Sequence, residues 1–128
     1  SNQLEQVFVN IVRNAVDSIG EEGTIGVHLL QRWADDQFVQ LHPELTAKEY
    51  YLIEFRDTGC GMDEQTQERI FEPFFTTKEV HKGTGLGMAL AHGIIHDHHG
   101  EIKVESTENV GTTFAIYLPV YHPQSVEN

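Results

Sequence analysis

The sequence predicts an α+β domain, a two-layer sandwich with helices on one face of a mixed, mostly antiparallel sheet. Three observations carry that reading. Apolar residues recur at three- and four-residue spacing over 4–19 and 86–99, each a helical stripe. Short runs rich in Val, Ile, Tyr and Phe stand beside them, bounded by Gly, Asp and Asn. The length of 128 residues suits one domain, large enough to bury a core without disulfides or a structural metal. A helix stripe needs an apolar partner, and a half-buried sheet supplies one.

The elements follow in order. Leu4, Val7, Phe8, Ile11, Val12, Ala15, Val16 and Ile19 make the first helix, stopped by Gly20 and Gly23. Thr24 to Arg32 and Tyr50 to Asp57 read as strands, the second through its YYLIEF run. The polar stretch from Ala34 to Lys48 reads as a loop or hairpin insertion. Asp63 to Phe71 suits a short helix capped by Asp63. Phe74 to Gly87 has Gly, Thr and Lys without apolar period, and reads as a mobile loop. Leu86 to His99 is helical, with Leu86, Leu90 and Ile94 on one face and Gly100 as its stop. Two strands, Glu101 to Ser106 and Thr112 to Leu118, close the pattern through a turn at Asn109 to Gly111. Residues 1–122 form the expected domain and 123–128 a frayed tail. The pattern opens inside a helix, as expected of a piece of a longer protein.

Composition narrows the function. Eight Lys and Arg against 20 Asp and Glu leave a net charge of −12, which argues against nucleic acid or anionic lipid as a partner. Cys60 is the single cysteine, so the disulfide-scaffold class is excluded. Every apolar stretch is interrupted well before the ~20 residues of a membrane span, and no signal-peptide pattern is present.

Three constellations carry chemistry. Asn10 and Asn14, at i and i+4, sit one above the other beside the apolar stripe. Two amide oxygens there could hold a hard cation whose remaining ligands are phosphate oxygens, although by themselves two solvated or capping amides are the plainer reading. DTGCGM, Asp57 to Met62, follows a hydrophobic strand. Its glycines allow a tight turn and close approach of a flat ligand, and Asp57 can accept from an exocyclic amine. A hairpin turn uses the same residues. GTGLGM, Gly83 to Met88, opens the last helix, where free N–H groups and the positive dipole end favour phosphate. Such a site answers the charge balance, because amides, a cation, Lys78 and Lys82 can hold an anion on an acidic protein. The cluster His92, His96, His98 and His99 suits a solvated helix end better than a metal site.

Taken jointly, Asn10/Asn14, DTGCGM, FEPFFTTK (Phe71 to Lys78), GTGLGM and GTTF (Gly111 to Phe114) resemble the N, G1, F, G2 and G3 boxes of the catalytic, ATP-binding domain of sensor histidine kinases. That family belongs with gyrase, the heat-shock chaperone ATPases and MutL, whose shared architecture is the Bergerat fold. The resemblance spans about residues 3 to 119, and FEPFFTTK followed by GTGLG is its most specific part.

The resemblance implies roles at matching positions. Asn14 ligates Mg²⁺ and Asn10 supports it. Asp57 accepts from the adenine amine, with Gly59, Gly61 and Met62 shaping the base pocket. Phe74 and Phe75 anchor a lid in which Thr76, Thr77, Lys78, Lys82, Gly83 and Thr84 cover the triphosphate, Lys78 or Lys82 reaching the γ-phosphate. Gly85, Leu86 and Gly87 meet the phosphates, and Thr113 joins the water network around Asp57. The catalytic set is then Asn10, Asn14 and Lys78. Many such kinases carry Lys three residues after the magnesium Asn; here it is Asp17. The phospho-acceptor motif is not found at any of the eight histidines. The implied function is donation of the γ-phosphoryl group of Mg·ATP to a histidine on an upstream dimerisation domain, which then serves a response regulator. An ATP-hydrolysing switch is the alternative. The implied place is the cytoplasm, free or as the inner part of a membrane-anchored sensor, with no membrane contact by the domain itself.

Overall fold

Helix α1 spans Asn2–Ile19 and buries Val7, Ile11 and Ala15, the i, i+4, i+8 line of its apolar stripe. Leu4 and Phe8 pack half-buried beside them, whereas Val12 and Val16 stay exposed. The stripe is wider in sequence than the surface that meets it, since 3.6 residues per turn carries Val12 and Val16 around the flank. The computed structural model describes residues 2–43, 45–73 and 87–120; the tail expected to fray lies outside them.

The remaining elements are β1 (Ile25–Trp33), α2 (Asp36–Leu41), β2 (Glu49–Asp57), α3 (Glu64–Arg69), α4 (Gly87–Asp97), β3 (Glu101–Thr107) and β4 (Gly111–Pro119). The strands form one sheet in the order β1-β2-β4-β3. All three pairings are antiparallel, so among the described residues the sheet has no parallel component and is not mixed. In register, Asp57 lies opposite Ile25 on one side and Thr112 on the other.

Strand parity divides the molecule into two unequal cores. Phe55, Phe114, Ile116 and Ile102 face α1 and α4 and pack with Val7, Ile11, Met88, Ala91, Ile94 and Ile95. Each fully buried side chain of this kind contributes about 1.5–3 kcal/mol of transfer free energy. The opposite parity, Tyr50 and Tyr117, meets Phe38 and Leu45 in a satellite cluster. Phe38 lies on α2, so one small helix covers the second face and the insertion is not a plain loop or hairpin. Its start is a side-chain cap, Asp35 Oδ1 accepting from Phe38 N at 2.9 Å. Burial pushes the Tyr117 phenol up from its ordinary value.

Two local expectations shift. In α4 the buried line is Met88, Ala91, Ile94 and Ile95, while Leu90 is 45% exposed on the flank. The left-handed residue that closes α4 is His99, two residues past its end and one before Gly100, with φ of 64°. Gly100 N bonds to Ile95 O and His99 N to His96 O, both at 2.9 Å, which closes the helix as a Schellman motif. The histidines there are a helix end: His98 Nδ1 is 2.8 Å from Ile94 O, and the His92 ring lies 5.1 Å from that of Phe71. No described helix is long and apolar enough to cross a membrane.

Candidate functional site

Asp57 is the last residue of β2 and points to the helix side of the sheet, where it is only 8% exposed. A buried carboxylate needs donors, and two backbone amides converge on its Oδ1. Gly59 N donates at 2.9 Å and Thr112 N at 3.3 Å; the Ser18 hydroxyl lies 3.5 Å away, its one proton closer to Ala15 O at 3.1 Å. Oδ2 takes no hydrogen bond from any described residue. One oxygen is thus spent on the scaffold, and the other is left as an oriented acceptor.

The turn that follows is strung between two supports. Cys60 N donates to Ser18 O at 3.1 Å, tying it to the last turn of α1; Asn109 N donates to Cys60 O at 2.7 Å, tying it to the β3–β4 turn. Gly61 has φ of +68°, and a Cβ there would sit 2.0 Å from Thr107 O, so only glycine fits between the two segments. Met62 packs half-buried against the main core, and its N–H reaches Ser106 Oγ at 2.8 Å. At the start of α3 the Asp63 carboxylate accepts from Thr66 N at 2.8 Å, a hydrogen bond that holds its carboxyl below the ordinary value. An open cleft of about 460 Å³ beside this start is lined by Asp63, Glu64 and Glu108, a poor setting for phosphate.

Asn10 and Asn14 are both half-buried on the same side of α1. Asn10 Nδ2 donates to Gly87 O at 3.1 Å and so fastens α1 to the first residue of α4. The amide of Asn14 makes no hydrogen bond to a described residue, which leaves its carbonyl oxygen available. Among the described residues no three His, Cys, Asp or Glu lie close enough to hold a metal. The single Asn14 amide oxygen fits a hard divalent ion that takes most of its ligands from phosphate and water.

The structure puts Asn10 against Gly87 with Asn14 one turn further along α1, and sets Asp57, Gly59, Gly61 and Met62 beside the last turn of α1 and β3. It places Thr112, not Thr113, at Asp57. Alternation along β4 turns Thr112 inward with Phe114 and Ile116, and sends Thr113 to the other face opposite Arg56. Phe75, Thr76, Thr77, Lys78, Lys82, Gly83, Thr84, Gly85 and Leu86 lie outside the described residues, as does Phe74. Ser18 and Ser106, which tie the 57–62 turn to α1 and to β3, are residues that the sequence pattern did not mark. Strand parity was the available signal for Thr112; Ser18 and Ser106 carried none.

Comparison with known proteins gives the family. Residues 1–122 match the family described as Histidine kinase-, DNA gyrase B-, and HSP90-like ATPase. The chain is 44% identical over 117 residues to the sensor kinase CckA of Brucella abortus (strain 2308), covering 91% of this chain and 12% of that protein. It therefore spans about an eighth of that relative's length. Among solved structures, the catalytic domain of the histidine kinase ThkA, nucleotide free, superposes with a TM-score of 0.70 at 32% identity, covering 92% of this chain and 66% of that one. Full-length ShkA in complex with AMPPNP superposes with a TM-score of 0.65 at 28% identity, covering 91% of this chain and 21% of that one.

Proposed function

The chain belongs to the histidine kinase-, DNA gyrase B- and HSP90-like ATPase family as a histidine kinase catalytic ATP-binding domain, and we propose that it donates the γ-phosphoryl group of Mg·ATP to a histidine on a separate dimerisation domain. The observation that carries the nucleotide assignment is the split use of Asp57, with Oδ1 held by the Gly59 and Thr112 amides and Oδ2 left open for a ligand. An exocyclic amine is the group such an acceptor selects. Asn14 would supply an oxygen to a bound magnesium ion, whose charge would offset that of the phosphates. Gly87 with Gly85 and Leu86, and Lys78 and Lys82, meet the phosphates.

Phosphoryl transfer needs positioning and charge neutralisation more than covalent help from the protein. The chain's part is to hold the γ-phosphorus in line with an incoming imidazole nitrogen. That nitrogen attacks, the bond to the β–γ bridging oxygen breaks, and ADP leaves. We place the domain in the cytoplasm, where ATP is available, with a response regulator as the onward acceptor of the phosphoryl group.

Asn10 favours transfer over hydrolysis. The hydrolytic relatives carry Glu at that position, where it can take a proton from water; an amide cannot, and here one of its protons is committed to Gly87 O. The chain alone should bind ATP, release phosphate barely above background and not label itself from γ-labelled ATP. Adding the acceptor hairpin of a sensor kinase relative should produce a labelled, acid-labile phosphohistidine. Steady phosphate release by the chain alone would instead support the hydrolytic switch.

Metal dependence tests Asn14 separately. Asn14→Ala should weaken ATP binding in Mg²⁺ by about tenfold or more, the equivalent of about 1.4 kcal/mol. In EDTA the variant and the parent should bind alike. An equal loss in both buffers would remove Asn14 from the metal.

A further inference from the structure

Ser106 stands outside every motif of the sequence, yet its hydroxyl meets three residues of the site. Its hydroxyl accepts from Met62 N at 2.8 Å, donates to Gly111 O at 3.0 Å and lies 2.7 Å from Thr112 Oγ1. A serine hydroxyl has one proton and two lone pairs. With the proton on Gly111 O, the contact with Thr112 is an acceptance, and all three positions are filled. Its own carbonyl is held as well, because Gln67 Nε2 donates to both Met62 O and Ser106 O at 3.0 Å.

These bonds converge on one geometric result. Asp57 Oδ1 is clamped from two sides, by Gly59 N in the turn that runs to Met62 and by Thr112 N at the start of β4. Those two segments are 53 residues apart in the chain. Ser106 is the side chain that bonds to both, at Met62 on one side and at Gly111 and Thr112 on the other.

We propose that Ser106 is a positioning residue for base selection: by holding the two amide-bearing segments together, it fixes the direction in which Asp57 Oδ2 presents itself to the amine of the base. The inference rests on the reading of Asp57 as the base acceptor. Ser106 touches no ligand in this account. Loss of its hydroxyl leaves Met62 N and Gly111 O without their partner and frees Thr112, so the Asp57 carboxylate gains rotational freedom. Affinity that depends on Oδ2 then falls, whereas affinity from the phosphates does not.

The test compares ADP with IDP, which differ at the position of the exocyclic amine, by calorimetric titration in Mg²⁺. The wild-type chain should prefer ADP clearly. Ser106→Ala should lose about tenfold in ADP affinity with IDP affinity unchanged, so that the ADP/IDP ratio contracts. Ser106→Thr, which keeps the hydroxyl, should restore most of the ratio. Thr112→Val keeps its amide and shape but not its hydroxyl; it should contract the ratio partway, and it decides the matter should Ser106→Ala fail to fold. A strand-end role alone would lower the melting temperature and weaken both nucleotides equally, which overturns the proposal. An unchanged ratio in a folded Ser106→Ala protein also overturns it while the Asp57 reading stands. A wild-type chain that binds ADP and IDP alike overturns both.

Discussion

Replacing Asp57 with alanine should abolish measurable ATP binding at concentrations that saturate the wild-type chain, a loss of at least about a hundredfold. A hydrogen bond to a charged group contributes about 1.5–3 kcal/mol, which alone approaches that factor. The substitution also strips Oδ1 from Gly59 N and Thr112 N, two amides in a buried setting that then lack their acceptor. Asp57→Asn separates the two effects. Its amide oxygen can still receive Gly59 and Thr112, but its NH₂ then faces the amine of adenine, donor against donor. Wild-type protein should favour ATP over GTP by a large factor, since guanine offers an oxygen to an acceptor, and sites built on such a bond reject the mismatched partner by up to about 10⁴-fold. In Asp57→Asn that preference should collapse or invert. Equal binding of ATP and GTP by the wild-type chain would remove Asp57 from base recognition.

How much of this was legible in the sequence depends on the range of the interaction. The turn at Asp57 to Met62 and the i,i+4 pair Asn10/Asn14 are local patterns: the turn follows β2 directly and the two amides share one side of α1. Strand parity is local too. Counting inward from Phe114 reaches Thr112, so the expectation of Thr113 was an error in applying a rule that sufficed. Ser106 is different. Its partners Met62 and Gln67 are 44 and 39 residues away, and a serine near a strand end looks like any other until the register Ser106↔Thr112 is known. Ser18 reaches Asp57 across a similar gap.

The helix in the insertion was hidden for another reason. Phe38 is the single buried residue of α2, so no periodicity builds up over its six residues, and only the Asp35 cap announces it. Leu90 and Val16 err in the other direction. Both belong to apolar stripes, but a helix lying on a sheet and one neighbouring helix has too little covered surface to bury every apolar position. Sequence reports which residues can be buried; the arrangement of partners decides which are.

A pair of identical substitutions brings packing and function together. Gly111→Ala and Gly93→Ala each add one methyl group, and they should move stability in opposite directions. At Gly111 the new carbon would sit 2.0 Å from Asp57 O and 3.2 Å from Thr58 Cα, at a φ of +150°. Those neighbours are backbone, and Asp57 is held by β1 on its other side, so the clash is relieved only by moving the end of β4 away. Backbone strain of this kind costs about 1–3 kcal/mol, and the lost packing adds to it. The next residue is Thr112, whose amide then leaves Asp57 Oδ1, so ATP affinity should fall together with the melting temperature. At Gly93, on the exposed side of α4, nothing lies within 4 Å. There the methyl meets only solvent, and replacing a mid-helix glycine should stabilise by about 0.5–1 kcal/mol with nucleotide affinity unchanged. Denaturant melts and ATP titrations on the two variants read both effects. A Gly111→Ala protein that melts and binds like wild type would mean that the β2–β4 end yields freely, and a rigid clamp on Asp57 would then have no structural basis.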